Sequence, residues 1–255
     1  MVRLISCSII LSFGVSQAYS QPADRQIVNQ PLEWFSVTTN LKLNKTFSLV
    51  GEGQFRFVGD LEPMQFQVRT AVEIKLTDHF SFVPAGYVYT WNDKYGKQPT
   101  TYVNNEHRFW QQIFYKHSLG KFKVDHRVRV EERFIQSHST NTEGIVVDEG
   151  YTNKQFRFRY RLMAKMPFGE KIVPKSYFAS VYDEVFVSRG EHVTYYDPDQ
   201  NRVFAGIGYQ FNSSMSMQAG FLYQMLVKSN GAKQENNLGL QVMLSYNLDF
   251  TKSSN

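Results

Sequence analysis

"QFRFRYRLMAKMPF", residues 155–168, puts Phe156, Phe158, Tyr160 and Leu162 on one parity and Arg157, Arg159 and Arg161 on the other. Side chains of a strand point alternately to its two faces, so this segment builds one apolar wall and one cationic wall. Three environments want such a strand. One is a half-buried sheet of a soluble domain, with its arginines in water. Another is a basic sheet on which nucleic-acid bases stack. The third is a membrane barrel, with lipid against one wall and a wet lumen against the other.

The pattern recurs. In "KFKVDHRVRVEERF" (121–134), Phe122, Val124, His126, Val128 and Val130 alternate with Lys123, Asp125, Arg127, Arg129, Glu131 and Arg133. In "PMQFQVRTAVEIKL" (63–76), Met64, Phe66, Val68, Thr70, Val72, Ile74 and Leu76 alternate with Gln65, Gln67, Arg69, Ala71, Glu73 and Lys75. From Trp34 onward eleven such segments follow one another, at 33–43, 46–58, 63–76, 80–91, 105–117, 121–135, 153–168, 175–189, 200–211, 215–227 and 237–250. Each runs to about eleven residues or more, longer than the usual globular strand and enough to cross a bilayer when tilted.

Short connections (44–45, 77–79, 118–120, 212–214) alternate with long polar ones (92–105, 135–152, 189–200, 227–237). Outer-membrane barrels keep that asymmetry between periplasmic turns and external loops. Aromatic residues make up 15% of the chain, and Trp34, Trp91, Tyr115, Phe168, Phe211 and Phe250 fall near strand ends, where rings suit the membrane interface.

The start, "MVRLISCSIILSFGVSQAYSQ", carries Arg3, an apolar run too short to span as a helix, and small residues suited to cleavage, the pattern of a secretory signal peptide over 1–20. Cys7 is the single cysteine, so its removal leaves a chain without disulfides. Loss of Arg3 takes the 28 basic residues to 27 against 23 acidic ones, or +4. So mild and interleaved an excess on an exported chain argues against nucleic acid as a partner.

The reading that follows is an all-β, transmembrane, antiparallel up-and-down barrel of about ten to twelve strands in the outer membrane of a Gram-negative bacterium. Residues 21–32 form an N-terminal segment, 33–250 the barrel and 251–255 a tail. An even strand count is usual, so 25–32 is a candidate for a short twelfth strand. The expected partners are outer-membrane lipid, the barrel-assembly machinery during biogenesis, and small solutes.

The inner face then carries Glu52, Arg56, Arg69, Glu73, Arg108, Arg127, Arg129, Glu131, Arg133, Arg157, Arg159, Arg161, Glu184 and Arg202. Guanidinium and carboxylate groups on adjacent strands can brace a wall, and an arginine excess lining a pore favours anions. Two other classes remain open. A barrel-embedded lipid hydrolase needs a nucleophile, a base and an orienting group. His107, His117 and His126 lie on strands, but no serine or carboxylate stands at a legible spacing from them. A secreted β-sandwich binding module would share the alternation. No cofactor motif or metal-ligand set occurs; Asp197-Pro198-Asp199 is a pair of loop acids more in keeping with solvation than with calcium.

"NNEHRFWQQ", "FKVDHRVRVEERF", "FRFRYRL", "YDEVFV", "DQNRVFAGIGYQF" and "QAGFLYQ" resemble, in this order, the blocks of the domain of unknown function 2490 family. The resemblance extends over roughly residues 33–250. It implies an exported bacterial barrel of the outer membrane and carries no established activity. The positions it marks are Arg108, Arg127, Arg129, Glu131, Arg133, Arg157, Arg159, Arg161, Glu184, Asn201 and Arg202.

Overall fold

The computed structural model describes residues 25–96, 102–195 and 198–251. The expected signal peptide lies outside the described residues. The strands are β1 (Gln26–Lys42), β2 (Phe47–Val58), β3 (Glu62–Lys75), β4 (Phe80–Asn92), β5 (Glu106–Leu119), β6 (Phe122–Ile135), β7 (His138–Thr140), β8 (Val146–Asp148), β9 (Asn153–Pro167), β10 (Ser176–Gly190), β11 (Gln200–Gln210), β12 (Met215–Val227) and β13 (Lys233–Asp249). Eleven of them close into one barrel in the order β1-β13-β12-β11-β10-β9-β6-β5-β4-β3-β2, while β7 and β8 form a separate hairpin.

Every neighbouring pair in the barrel is antiparallel except the closing one. β1 runs parallel to β13, from Gln26 beside Lys233 to Lys42 beside Asp249. This settles the odd count: residues 26–32 are the first half of a 17-residue β1, neither a twelfth strand nor a segment outside the barrel. With an odd number of strands, a parallel seam is the one way to leave no unpaired edge.

Following paired residues round the wall from Lys42 leads back to Val28 on β1, about fourteen residues earlier, a shear that for eleven strands gives a tilt of about 40° and a backbone radius of about 11 Å.

One end carries the tight turns 43–46, 76–79, 120–121 and 211–214 together with the longer connection 168–175, while the tight turn 59–61 lies at the other. Asn44 Oδ1 accepts from the backbone N–H of Thr46 and Phe47, each at 2.8 Å, and Asn212 Oδ1 does the same for Ser214 and Met215 at 2.8 and 2.9 Å. Thr77 Oγ1 plays this part for His79 and Phe80. Such side-chain caps fix a turn locally. The other end carries the connections 93–105, 136–152, 191–199 and 228–232. The β7–β8 hairpin stands exposed there, with His138 Nδ1 2.9 Å from Asn104 Oδ1.

The faces sort as the alternation requires. Phe156, Phe158, Tyr160 and Leu162 are 38–55% exposed, while Arg157 and Arg159 are buried. Met64 and Trp34 do not take the faces expected of them. Met64 is buried rather than outward, because the ladder between β2 and β3 slips at Arg56/Phe57 and shifts parity there. Trp34 is 4% exposed and points inward, so it does not belong to an interface belt; Trp91, Tyr115, Phe168 and Phe250 are exposed. Another slip, between Val83 and Gly86, contains Pro84, which has no N–H for the ladder.

Candidate functional site: the barrel interior

Inside the wall, more polar than apolar side chains are fully buried, the reverse of a soluble core. A cavity of about 730 Å³ extends from Tyr95 and Asn104 near the loop end to Asn40, Lys116 and Asn247 near the turn end. Ten arginines or their stems line it or its rim, among them Arg56, Arg69, Arg129 and Arg202. All fourteen residues anticipated for the inner face lie there: thirteen line the cavity, and Glu131 is wholly buried within the ionic network.

Four glutamates organise these cations. Glu106 accepts from Arg108 Nε and Nη2 at 2.9 and 3.0 Å, and from Arg133 Nε and Nη2 at 2.6 and 2.9 Å. Glu131 lies 2.5 Å from Arg159 Nη1, 3.5 Å from Arg129 and 3.7 Å from Arg108. Glu184 takes Arg127 Nη2 at 2.5 Å and Arg159 Nη2 at 2.8 Å, with Arg202 at 4.0 Å. Glu52 pairs with Arg69. Forked guanidinium contacts of this kind are strong and directional.

The arginines outnumber these carboxylates, and aromatic faces hold the surplus. Arg56 lies 3.9 Å from the ring centroid of Trp34, and Arg129 4.1 Å from that of Trp110. Arg202 sits between Trp34 and Phe186, at 4.8 and 4.6 Å. Desolvated cation–π contacts of this sort contribute about 2 kcal/mol. Trp110 can lie flat because Gly86 faces it: a Cβ on Gly86 would stand 2.2 Å from Trp110 Cε2.

The two mouths differ. At the loop end Leu32, Thr90, Glu235, Asn237 and Val193 are at most 1% exposed. Tyr95, from the β4–β5 connection, packs on the interior cluster of Trp34, Tyr182 and Phe204, and its hydroxyl donates to Glu235 Oε2 at 3.1 Å. Burial, and then the Glu235 carboxylate, raise the Tyr95 phenol well above an ordinary tyrosine. At the turn end the inward groups Lys116, Lys123 and Asn247 are exposed and Asn40 and Ser245 half-buried.

On the outer wall, His126 Nδ1 is 2.8 Å from Tyr160 Oη and its Nε2 is 3.2 Å from His117 Nε2; His107 Nδ1 is 2.7 Å from Tyr87 Oη. Among the described residues no serine hydroxyl hydrogen-bonds to these three histidines, and no group of metal-binding side chains is present. Asp197 lies outside the described residues; Asp199 is buried and accepts from Ser188 Oγ at 2.7 Å. The outer wall is not uniformly apolar. Asp183 faces outward half-way along β10, accepting from Asn201 Nδ2 at 2.6 Å.

Glu106 and the two stacking tryptophans, Trp34 and Trp110, are interior groups outside the set expected from sequence. Glu106 shares parity with Arg108 in "EHRFW", which was a usable signal. Trp34 had none, since an inward ring and a belt ring look alike in sequence.

Fold and interior together define a closed β-barrel with an arginine- and glutamate-lined inside. The model of the family described as "Protein of unknown function (DUF2490)" matches residues 33–236, and the chain belongs to that family. No curated protein and no solved structure gives a significant match.

Proposed function

We propose that this chain is an outer-membrane barrel of a Gram-negative bacterium, an envelope protein whose braced interior favours small anions and does not form a wide pore. One observation carries the reading: a ring of exposed Phe, Val, Leu, Ile and Tyr encircles a wall whose inner face is ionic. Phe35, Val68, Phe109, Val130, Phe158, Val181, Val203, Phe221 and Leu240 sample nine different strands and are all 37% exposed or more. A water-soluble monomer does not leave so continuous an apolar girdle uncovered, whereas hydrocarbon requires it. The ionic contacts between strands, and the covered loop-end mouth, favour a narrow interior over an open channel.

The test is whether the purified chain needs detergent, floats with lipid vesicles and migrates faster on a denaturing gel before heating than after. A freely soluble monomer without detergent would overturn the reading. Recordings in planar bilayers should then give small, anion-selective currents; large non-selective steps would argue for an open pore instead.

A further inference from the structure

The pairing of β6 with β9 sets like charges directly opposite one another on the inner face. Arg129 is in register with Arg159, Arg127 with Arg161, and Lys123 with Lys165. Facing like charges destabilise a sheet unless an opposite charge sits between them. Arg129 and Arg159 have that charge in Glu131 and Glu184. Toward the turn end the compensation thins to one further carboxylate, Asp125, which lies opposite Met163 between the Arg127/Arg161 and Lys123/Lys165 rungs. Arg127 reaches Glu184, but Arg161 has Asp125 at 3.6 Å, too long for a hydrogen bond, and the Tyr182 ring at 5.9 Å, and the side chain of Lys123 is directed to Ser118 Oγ at 2.9 Å.

Lys116, paired with Asp125 across β5–β6, adds a further cation at the same mouth. Nε of both Arg127 and Arg161 is buried without a hydrogen-bond partner, on side chains that are 10% and 17% exposed. Removing charge from water without compensation is costly.

We infer that the Arg127/Arg161 and Lys123/Lys165 rungs form a binding site for a phosphate-class oxyanion, entered from the turn-end mouth. Guanidinium forks on neighbouring strands match the oxygens of a tetrahedral anion, and the lysines at the rim draw it in. The site rests on the proposal above that the inner face is the wet one, and it names the class of anion that face takes.

The experiment uses the full barrel in a neutral detergent, with inorganic phosphate as the probe and chloride at matched ionic strength as the control. Phosphate should bind saturably by calorimetry, and should protect Arg161 and Arg127 from phenylglyoxal in peptide mapping. Arg161→Gln, which gives up the long contact to Asp125 and the distant one to the Tyr182 ring, should weaken binding about tenfold or more, and Lys165→Gln should weaken it less. Lys121→Gln, in the exposed turn, should leave it unchanged. Phosphate binding no better than chloride, or equal in Arg161→Gln, overturns the site. Because the wild-type protection pattern needs no variant, a misfolded mutant cannot mask the answer. A chain that binds phosphate yet dissolves without detergent would sink the membrane proposal and spare the site.

Discussion

Glu131 Oε1 accepts from Arg159 Nη1 at 2.5 Å with the glutamate completely buried, and Arg108 and Arg129 lean on the same carboxylate. Removing one member of such a cluster leaves the others as uncompensated buried charges. Glu131→Ala should therefore lower unfolding stability by about 3–5 kcal/mol. Glu131→Met combined with Arg159→Met should recover part of that loss, since an apolar replacement of both partners removes the desolvation cost as well. Urea unfolding in detergent micelles measures both; a single variant as stable as the wild type would mean the network is not what braces this wall.

Gly86 and Trp110 make a second interlock. With a Cβ 2.2 Å from Cε2, Gly86→Ala must push the indole off the wall and with it the Arg129 guanidinium stacked on its other face. The expected cost is about 1–3 kcal/mol. Introducing Gly86→Ala into a Trp110→Leu background should cost much less, because no ring remains to be displaced. Equal losses in both backgrounds would place the effect in the backbone at the Pro84 irregularity instead.

The parallel seam is testable by cross-linking. Val37 and Leu244 are register partners across β1 and β13. Cysteines at the two positions should form an oxidised cross-link in the folded barrel, detected as a reductant-sensitive mobility shift, because paired backbone positions lie within disulfide reach. Cysteines at Val37 and Tyr246, two residues off register on the same face, should link poorly. The reverse order would mean that the eleven strands close in another way.

Tyr95 packs at the loop-end mouth, and its raised phenol keeps the proton that it donates to Glu235. The unfolded chain ionises at about pH 10 while the folded one holds its proton, so folding binds more protons and stability falls as pH rises past about 10. Tyr95→Phe should remove this alkaline loss while leaving stability at neutral pH close to wild type. If the barrel conducts as proposed, Tyr95→Ala should also raise single-channel current by widening the mouth. Identical currents in the two variants would assign the closure to the neighbouring loops.

Much of this was readable from alternation alone. A period of two, sustained over eleven segments, located every barrel strand and put Arg157, Arg159 and Arg161 on the inner face. What alternation could not supply was anything that depends on closure. Whether 26–32 extends β1 is decided by β13, some two hundred residues away, through a parallel ladder that leaves no local mark. Met64 changed sides because a one-residue slip inverts parity beyond it. The like-charged rungs were hidden for the same reason: Arg127 and Arg161 are each visible in sequence, but that they face one another follows only from the register.

The outer wall gives the sharpest separation between lipid and water. Val128 is outward, near the middle of β6, flanked by Tyr160 on β9 and Ile113 on β5. If hydrocarbon covers it, Val128→Arg should cost about 2–4 kcal/mol in vesicle-embedded protein, while Leu119→Arg, at the turn-end rim, should cost about 1 kcal/mol or less. If water covers it, both changes should fall within about 0.5 kcal/mol of zero. Asp183 supplies an internal control, being a native carboxylate at similar depth that is tied to Asn201 Nδ2 at 2.6 Å. Breaking that tie with Asn201→Ala should cost more in lipid than in detergent, since only in lipid has the freed carboxylate no water to turn to. A flat profile across Val128, Leu119 and Asn201 would show that no depth-dependent solvent surrounds the barrel, and the membrane reading would fall with it.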